Sequence, residues 1–151
     1  MATHGIPLWP WLNQAADALP APERLLLDAA RLWQQQAEAG QAPAPALRLL
    51  LASADAGAVA APLDALLRLA PRHALAFGCR LCPGIGASEA RYLLAIGLAQ
   101  NGADQASLAL WLHALPLLSA CQALTHGKRI SVALRDAGLV LRDPWRAGGA
   151  R

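Results

Sequence analysis

Apolar residues in the first half of the chain recur with the period of an amphipathic helix. The clearest run covers residues 22–39, where apolar side chains follow the i, i+3, i+4, i+7 spacing: Leu25, Leu26, Ala29, Leu32, Trp33 and Ala37. Gly40 then supplies a natural C-terminal stop. Shorter runs of similar spacing occupy residues 10–19, 46–54 and 62–70. This half of the chain therefore predicts four helices, with residues 41–45 as a short stiff linker.

The second half contains a long stretch almost without charge. Residues 92–127 carry a single charged side chain, that of Asp104. Gly102 and Pro116 divide the stretch, so it predicts several helices rather than one. The predicted helices begin near residues 86–88, 104, 116 and 131, and Gly127 is expected to close the third of them. Because charged side chains are rarely buried, we expect residues 92–127 to form the buried centre of the protein.

Composition agrees with a helical protein. The chain of 151 residues is 56% hydrophobic and 15% charged, with one Phe and one Tyr. Alanine and leucine supply most of the apolar content, whereas a sheet favours β-branched and aromatic residues. We predict an all-α fold, a compact bundle of about seven or eight short helices arranged as αα-hairpins. We expect a single domain over residues 1–151, with a loose lead-in at residues 1–8 and a frayed basic tail at residues 143–151.

One uncharged window is long enough to raise the question of a membrane span. It covers residues 107–124 and has His113 and Pro116 near its centre, which favours a buried soluble hairpin. A membrane-associated small protein is the alternative. Residues 1–12 show neither the basic nor the apolar region of a signal peptide. Because arginine supplies twelve of the thirteen basic residues, as in GC-rich bacterial coding sequences, we expect a cytoplasmic bacterial protein.

Basic residues concentrate at the C-terminal end. Residues 128–151 hold six basic and two acidic side chains, a net charge of +4. A basic surface suits an acidic partner or a phosphate backbone, but residues 131–141 are too few for a recognition helix with its scaffold. We therefore expect a solvated tail and, as partner, another protein or a second copy of this chain rather than nucleic acid or a membrane. Candidate partner-binding residues near the ends of the chain are Trp9, Trp11, Trp145, Arg142 and Arg146.

Cys79-x2-Cys82 is the one constellation that resembles a chemical site. Two thiolates at this spacing can hold a zinc ion, and Cys121 and His126 are the candidates for the two further ligands. Those two residues are five apart, about 140° around a helix, and do not share a face. A redox pair is a second interpretation, although it favours a cysteine at a helix N-terminus. The third is that all three cysteines are small buried hydrophobic residues.

No catalytic pattern stands beside the cysteines. The chain lacks a Gly-x-Ser-x-Gly elbow and a phosphate-binding loop, and its four histidines are scattered. We therefore expect no enzymatic activity and no cofactor, with zinc as the exception. The sequence predicts a non-enzymatic helical interaction or accessory protein. The alternative is a zinc-binding regulatory protein that uses Cys79 and Cys82.

Overall fold

The computed structural model of the chain describes residues 10–71 and 74–143. Within these two ranges it contains six α-helices and two short 3-10 segments, and the pairing of extended chain is limited to one isolated bridge between Ala15 and Gly84. The predicted all-α class is confirmed. Several predictions fall outside the described residues: the lead-in at 1–8, the tail from 144 onward, and the partner contacts Trp9, Trp145 and Arg146.

The helices follow one another with short connections. In chain order they are α1 (Ala21–Glu38), α2 (Pro43–Ala52), α3 (Ala60–Arg68), α4 (Ala87–Gln100), α5 (Asp104–Leu112) and α6 (Leu117–Asp136). The 3-10 segments are Ala16–Ala18 and Gly57–Val59. Gly40 and Gly102 stop α1 and α4 with φ angles of 72° and 78°, a left-handed conformation that glycine adopts without strain. Both stops were predicted from the sequence.

The described residues form six helices, not the seven or eight predicted, because residues 10–19 do not form an α-helix and one expected break, at Gly127, is missing. α6 continues through Gly127, where the sequence predicted a stop and a separate helix at 131–137. A glycine inside a helix costs only about 1 kcal/mol, and α6 packs against α3, α4 and α5 along its length. The residues expected to form a linker also differ, since Pro43 and Pro45 lie in the first turn of α2.

The helix predicted for residues 10–19 is replaced by a turn and the 3-10 segment. Here part of the backbone pairs with the loop that precedes α4. The N–H of Asn13 donates to the carbonyl of Ile85 at 3.2 Å, and the N–H of Ala16 donates to the carbonyl of Pro83 at 2.7 Å. Tertiary hydrogen bonds thus override a weak local preference, and they attach the N-terminal segment to that loop.

α4 is the central helix. Every residue from Tyr92 to Gln100 is buried, and α4 contacts α1, α5 and α6. The Tyr92 hydroxyl donates to the carbonyl of Leu26 at 2.9 Å, so the polar group of this buried residue has a partner. The side chain of Gln100 accepts the N–H of Leu141 at 2.6 Å and donates to the carbonyl of Leu139 at 3.2 Å. These bonds hold the extended chain after α6 against the core.

The corner between α5 and α6 is exposed, although the sequence predicted the whole of residues 92–127 to be buried. Leu112, Leu117 and Leu118 are 44%, 65% and 72% exposed. We call these three residues the leucine corner. An uncharged sequence does not by itself distinguish a buried helix from an exposed apolar one. None of the helices in the described ranges is long and apolar enough to span a bilayer.

Candidate functional site

A buried ion pair holds the loop that precedes α4. It joins Arg31 of α1 to Glu89 of α4, with Nε to Oε1 at 2.8 Å and Nη2 to Oε2 at 3.1 Å. The two side chains are 0% and 2% exposed. Bidentate contacts between guanidinium and carboxylate are among the strongest polar interactions in proteins, and losing one partner leaves a buried charge. We call Arg31 and Glu89 the clamp.

The clamp binds the loop backbone on both sides of the cysteine pair. Arg31 donates to the carbonyl oxygens of Cys82 and Gly84 at 2.8 and 2.9 Å. The carboxylate of the clamp accepts the N–H of Gly78 at 2.7 Å and that of Gly86 at 3.0 Å. Four backbone groups of an irregular loop are thereby fixed by two side chains from different helices.

These bonds also set the charge of Glu89. Burial alone would raise the pKa of its carboxyl group, but the hydrogen bonds from Arg31, Gly78 and Gly86 together outweigh burial. The pKa of Glu89 therefore lies below its ordinary value, and the group is ionised at neutral pH. The clamp is a charged pair, not a neutral one.

The start of the loop fits closely against the clamp. A Cβ added at Gly78 would stand 3.2 Å from both the Cβ of Cys82 and the nearer oxygen of Glu89, so a side chain there would require its neighbours to shift. One residue earlier, Nε2 of Gln34 donates to the carbonyl of Phe77 at 2.9 Å, and Oε1 of Gln34 accepts the N–H of Phe77 at 2.8 Å. The chain enters the cysteine turn along a fixed path.

Within the turn the two thiols converge. The N–H of Cys82 donates to the carbonyl of Cys79 at 3.1 Å, and the N–H of Cys79 donates to Sγ of Cys82 at 3.0 Å. The two Sγ atoms are 2.6 Å apart. Cys79 is exposed and Cys82 is half-buried, and both are free thiols. Solvent molecules therefore reach a dithiol whose flanking backbone is held by the hydrogen bonds of the clamp.

The pKa values of the two thiols are shifted in opposite directions. The pKa of Cys79 lies below its ordinary value because the Cys82 thiol, and then the Leu81 backbone, hydrogen-bond to its sulfur. The pKa of Cys82 is raised by the same contact between the two sulfurs and then by burial. Removal of a first proton thus leaves the charge on Cys79, the more exposed sulfur.

A surface groove of about 740 Å³ opens beside Cys79. The side chains that line it include Arg24, Asp28, Gln35, Glu38, Arg80 and Leu81. Arg24 is already paired with Asp17 and Asp28. Within the described part of the chain, Glu38 and Arg80 form no ion pair. The groove therefore offers one carboxylate and one guanidinium that are available to a ligand.

The structure joins two of the four predicted zinc ligands. Cys79 and Cys82 meet, but no group of three or more His, Cys, Asp or Glu side chains suited to a metal ion occurs among the described residues. Cys121 is exposed on α6. His126 is half-buried on the same helix, and burial, followed by the nearby Arg129, lowers its pKa.

The described candidates for partner binding lie in different settings. Trp11 is 5% exposed and belongs to the core, where it anchors the N-terminal segment to the body. Arg142 is exposed, and its backbone N–H donates to Oε1 of Glu23 at 2.6 Å. A role of Arg142 in binding a partner stays a prediction.

Glu23 is a second buried carboxylate, in the first turn of α1, and is 1% exposed. Its Oε1 accepts the Arg142 N–H, whereas Oε2 has no hydrogen-bond partner within the part of the chain that the structure describes. Burial raises the pKa of Glu23 above its ordinary value, and the contact with Arg142 offsets only part of that effect.

Sequence reasoning did not identify the clamp. Arg31 interrupts the apolar face of α1, next to the buried residues Ala30 and Leu27. A charged residue within an apolar stripe indicates a buried partner, and that signal was available. Glu89 lies in the first turn of its helix, where acidic residues are common, so it gives no comparable signal. The partner of Arg31 lies far along the sequence, and helical periodicity does not identify it.

The chain matches no protein-family model, no curated protein and no solved structure. Its function is therefore argued from its own residues.

Proposed function

We propose that the chain is a non-enzymatic interaction or accessory protein that works as a homodimer through the leucine corner. The observation that carries the proposal is the exposure of Leu112, Leu117 and Leu118 at one corner. Each exposed leucine costs free energy in water, at about 25 cal/mol per Å² of apolar surface. A cluster at the end of one helix and the start of the next is typical of a surface that a partner covers.

The charge pattern supports a second copy of the chain as the partner. Between Asp104 and Lys128 the sequence has no charged residue, so the two helix ends that form the corner offer no charge for an oppositely charged partner to match. In a twofold dimer the same patch meets itself, and like charges would then repel. An uncharged apolar corner avoids that repulsion.

The test is the mass of the purified chain in solution, measured by light scattering over a range of concentrations. We expect a dimer, and we expect Leu117→Ser with Leu118→Ser to shift it to monomer, since both side chains are mostly exposed and should not affect folding. Leu49→Ser is the matched control: Leu49 is 78% exposed on α2, away from the corner, and its loss should leave the dimer intact.

Other outcomes contradict the homodimer. A wild-type chain that stays monomeric at all concentrations overturns it. Cosedimentation of that monomer with neutral phospholipid vesicles, lost in the double serine variant, would favour the membrane-associated alternative instead.

The second candidate is a zinc-binding regulatory protein. It is favoured by one observation, the convergence of two accessible thiols in the Cys79–Cys82 turn. Cys121 and His126 would have to move to complete four ligands. Elemental analysis of protein purified without a metal-affinity tag decides this: one zinc per chain supports it, and a substoichiometric content removes it.

A further inference from the structure

The dithiol and the groove beside it point to a reaction that goes beyond the proposed function. We propose that Cys79 and Cys82 undergo thiol–disulfide exchange with a small zwitterionic disulfide bound in the groove, and that they close a reversible disulfide between themselves.

The turn provides the geometry for ring closure. The hydrogen bond from the Cys82 N–H to the Cys79 carbonyl links residues i and i+3, which places their Cα atoms within about 7 Å. Disulfides span Cα separations of about 4.4–6.8 Å. With the two Sγ atoms 2.6 Å apart, closure needs little movement of the backbone.

The clamp holds the backbone of the reduced turn in the arrangement that disulfide formation requires. Arg31 holds the carbonyls of Cys82 and Gly84, and Glu89 holds the N–H groups of Gly78 and Gly86. Because these bonds involve only backbone groups of the loop, they persist whether or not the sulfurs are joined. The backbone loses no further freedom on closure, so the second thiol acts at a high effective concentration.

The two cysteines have different roles in the exchange. The Cys79 thiolate attacks one sulfur of the small disulfide, the S–S bond breaks, and one small thiolate leaves and takes a proton from solvent. Cys82 then loses its proton and attacks Sγ of Cys79, which releases the second small thiolate. Two protein thiols are oxidised by two electrons, and one small disulfide is reduced to two thiols.

The groove indicates the class of disulfide. Its volume of about 740 Å³ lies within the range of small-ligand sites. Glu38 suits an ammonium group and Arg80 suits a carboxylate, so the charges that line the groove match a molecule that carries both, as peptide thiols do. Glutathione disulfide is the probe for this class.

The experiment starts from the full chain, reduced and desalted, and treats it with glutathione disulfide before alkylation and mass spectrometry. We expect the wild type to lose two alkylatable thiols, at Cys79 and Cys82. Cys82→Ser should accumulate a mixed disulfide on Cys79, whereas Cys79→Ser should accumulate little. Cys121→Ser is the control and should behave as the wild type. All three side chains are at least partly accessible, so the variants should fold.

The groove has its own test. Glu38→Ala and Arg80→Ala should each slow exchange with glutathione disulfide about two- to fivefold, the range of an exposed charge contact. Exchange with the uncharged hydroxyethyl disulfide should not change. Equal slowing with both probes would overturn the assignment of the groove.

Three results would overturn the exchange itself. They are the persistence of both thiols under excess glutathione disulfide, a mixed disulfide that forms on Cys121 in place of Cys79, and a stoichiometric metal ion that blocks alkylation of the pair. None of these readouts depends on the leucine corner, so failure here and failure of the dimer are distinguishable.

Discussion

Glu23 and Glu89 occupy the same position in two helices, and their surroundings differ. Each is the third residue of its helix, α1 or α4, and each is almost completely buried. The residue before α4 is Gly86, whose N–H reaches Glu89. The residue before α1 is Pro20, which has no N–H to offer. One glutamate therefore closes a hydrogen-bonded ring at the helix start, and the other does not.

The difference shows that burial alone does not determine the charge state of a carboxyl group. Glu89 has hydrogen-bond partners at both oxygens and a guanidinium beside it, and its pKa is lowered. Glu23 has one oxygen without a partner among the described residues, and burial raises its pKa. The first should stabilise the fold at neutral pH, and the second should oppose it.

Among the variants that test this comparison, removal of the Arg31 guanidinium should lower the free energy of unfolding the most. Arg31→Met keeps much of the side-chain volume but leaves Glu89 buried beside no positive charge. We expect the free energy of unfolding to fall by about 3–5 kcal/mol, measured by urea denaturation. Arg24→Met is the matched control on the same helix, because its ion pairs are partly or fully exposed, and it should cost about 1 kcal/mol or less. Equal losses in the two variants would contradict the role of the clamp.

Replacement of each glutamate by its amide tests the comparison directly. Glu89→Gln exchanges an acceptor oxygen for a donor that faces N–H groups, and we expect a loss of about 2–3 kcal/mol. Glu23→Gln removes a buried, half-satisfied charge, and we expect a change within about 1 kcal/mol, on the stabilising side. Thermal and urea unfolding at pH 7 measure both. A Glu23→Gln variant as unstable as Glu89→Gln would show that the two sites are equivalent.

The fit of the loop on Glu89 can be tested by adding one methyl group. In Gly78→Ala the new Cβ would meet the clamp and Cys82 at 3.2–3.3 Å, and we expect a loss of about 1–3 kcal/mol. Gly84→Ala is the control in the same loop, since nothing lies within 4 Å of its added Cβ. The outcome that would sink this prediction is a Gly84→Ala variant at least as unstable as Gly78→Ala.

The smallest expected effects are changes of stability with pH. We expect the free energy of unfolding to change by about 1 kcal/mol through each glutamate, in a different pH range for each. The folded pKa of Glu89 is below 4.5, so its contribution is present above pH 4.5 and is lost as pH falls toward the folded pKa. The folded pKa of Glu23 is above 4.5, so its unfavourable contribution disappears as pH falls through that pKa toward 4.5.

The advantage of Glu23→Gln at pH 7 should therefore shrink on mild acidification. The deficit of Glu89→Gln should shrink only below about pH 4.5. Unfolding curves from pH 3 to 7 measure both trends, and the same window for both variants would contradict the assignment.

The sequence correctly predicted those helices whose first and last residues are set by residues nearby in the chain. Residues 22–39 were expected and Ala21–Glu38 is observed, because the apolar period and Gly40 act locally. α4 was expected to start near residues 86–88 and to stop at Gly102, and it spans Ala87–Gln100. In both helices the start and stop residues act through hydrogen bonds within one or two turns.

The remaining features depend on contacts between distant parts of the chain. Gly127 was predicted to end a helix, but packing against three other helices keeps it helical. The leucine corner was predicted to be buried, because lack of charge was the only signal. The convergence of Cys79 and Cys82 follows from their spacing, whereas the clamp that fixes them requires a pairing that the spacing does not encode.

Arg31 and Glu89 are 58 residues apart in sequence, and this separation has a consequence for the order of folding. During synthesis the arginine emerges from the ribosome long before the glutamate. The cysteines, which lie between them, are therefore made before the clamp can form. A fixed dithiol is thus a late product of folding, achieved only when α1 has docked on α4. By the same reasoning the loop should not open alone: the amide hydrogens of Gly78 and Gly86 should exchange with solvent only when that docked core opens.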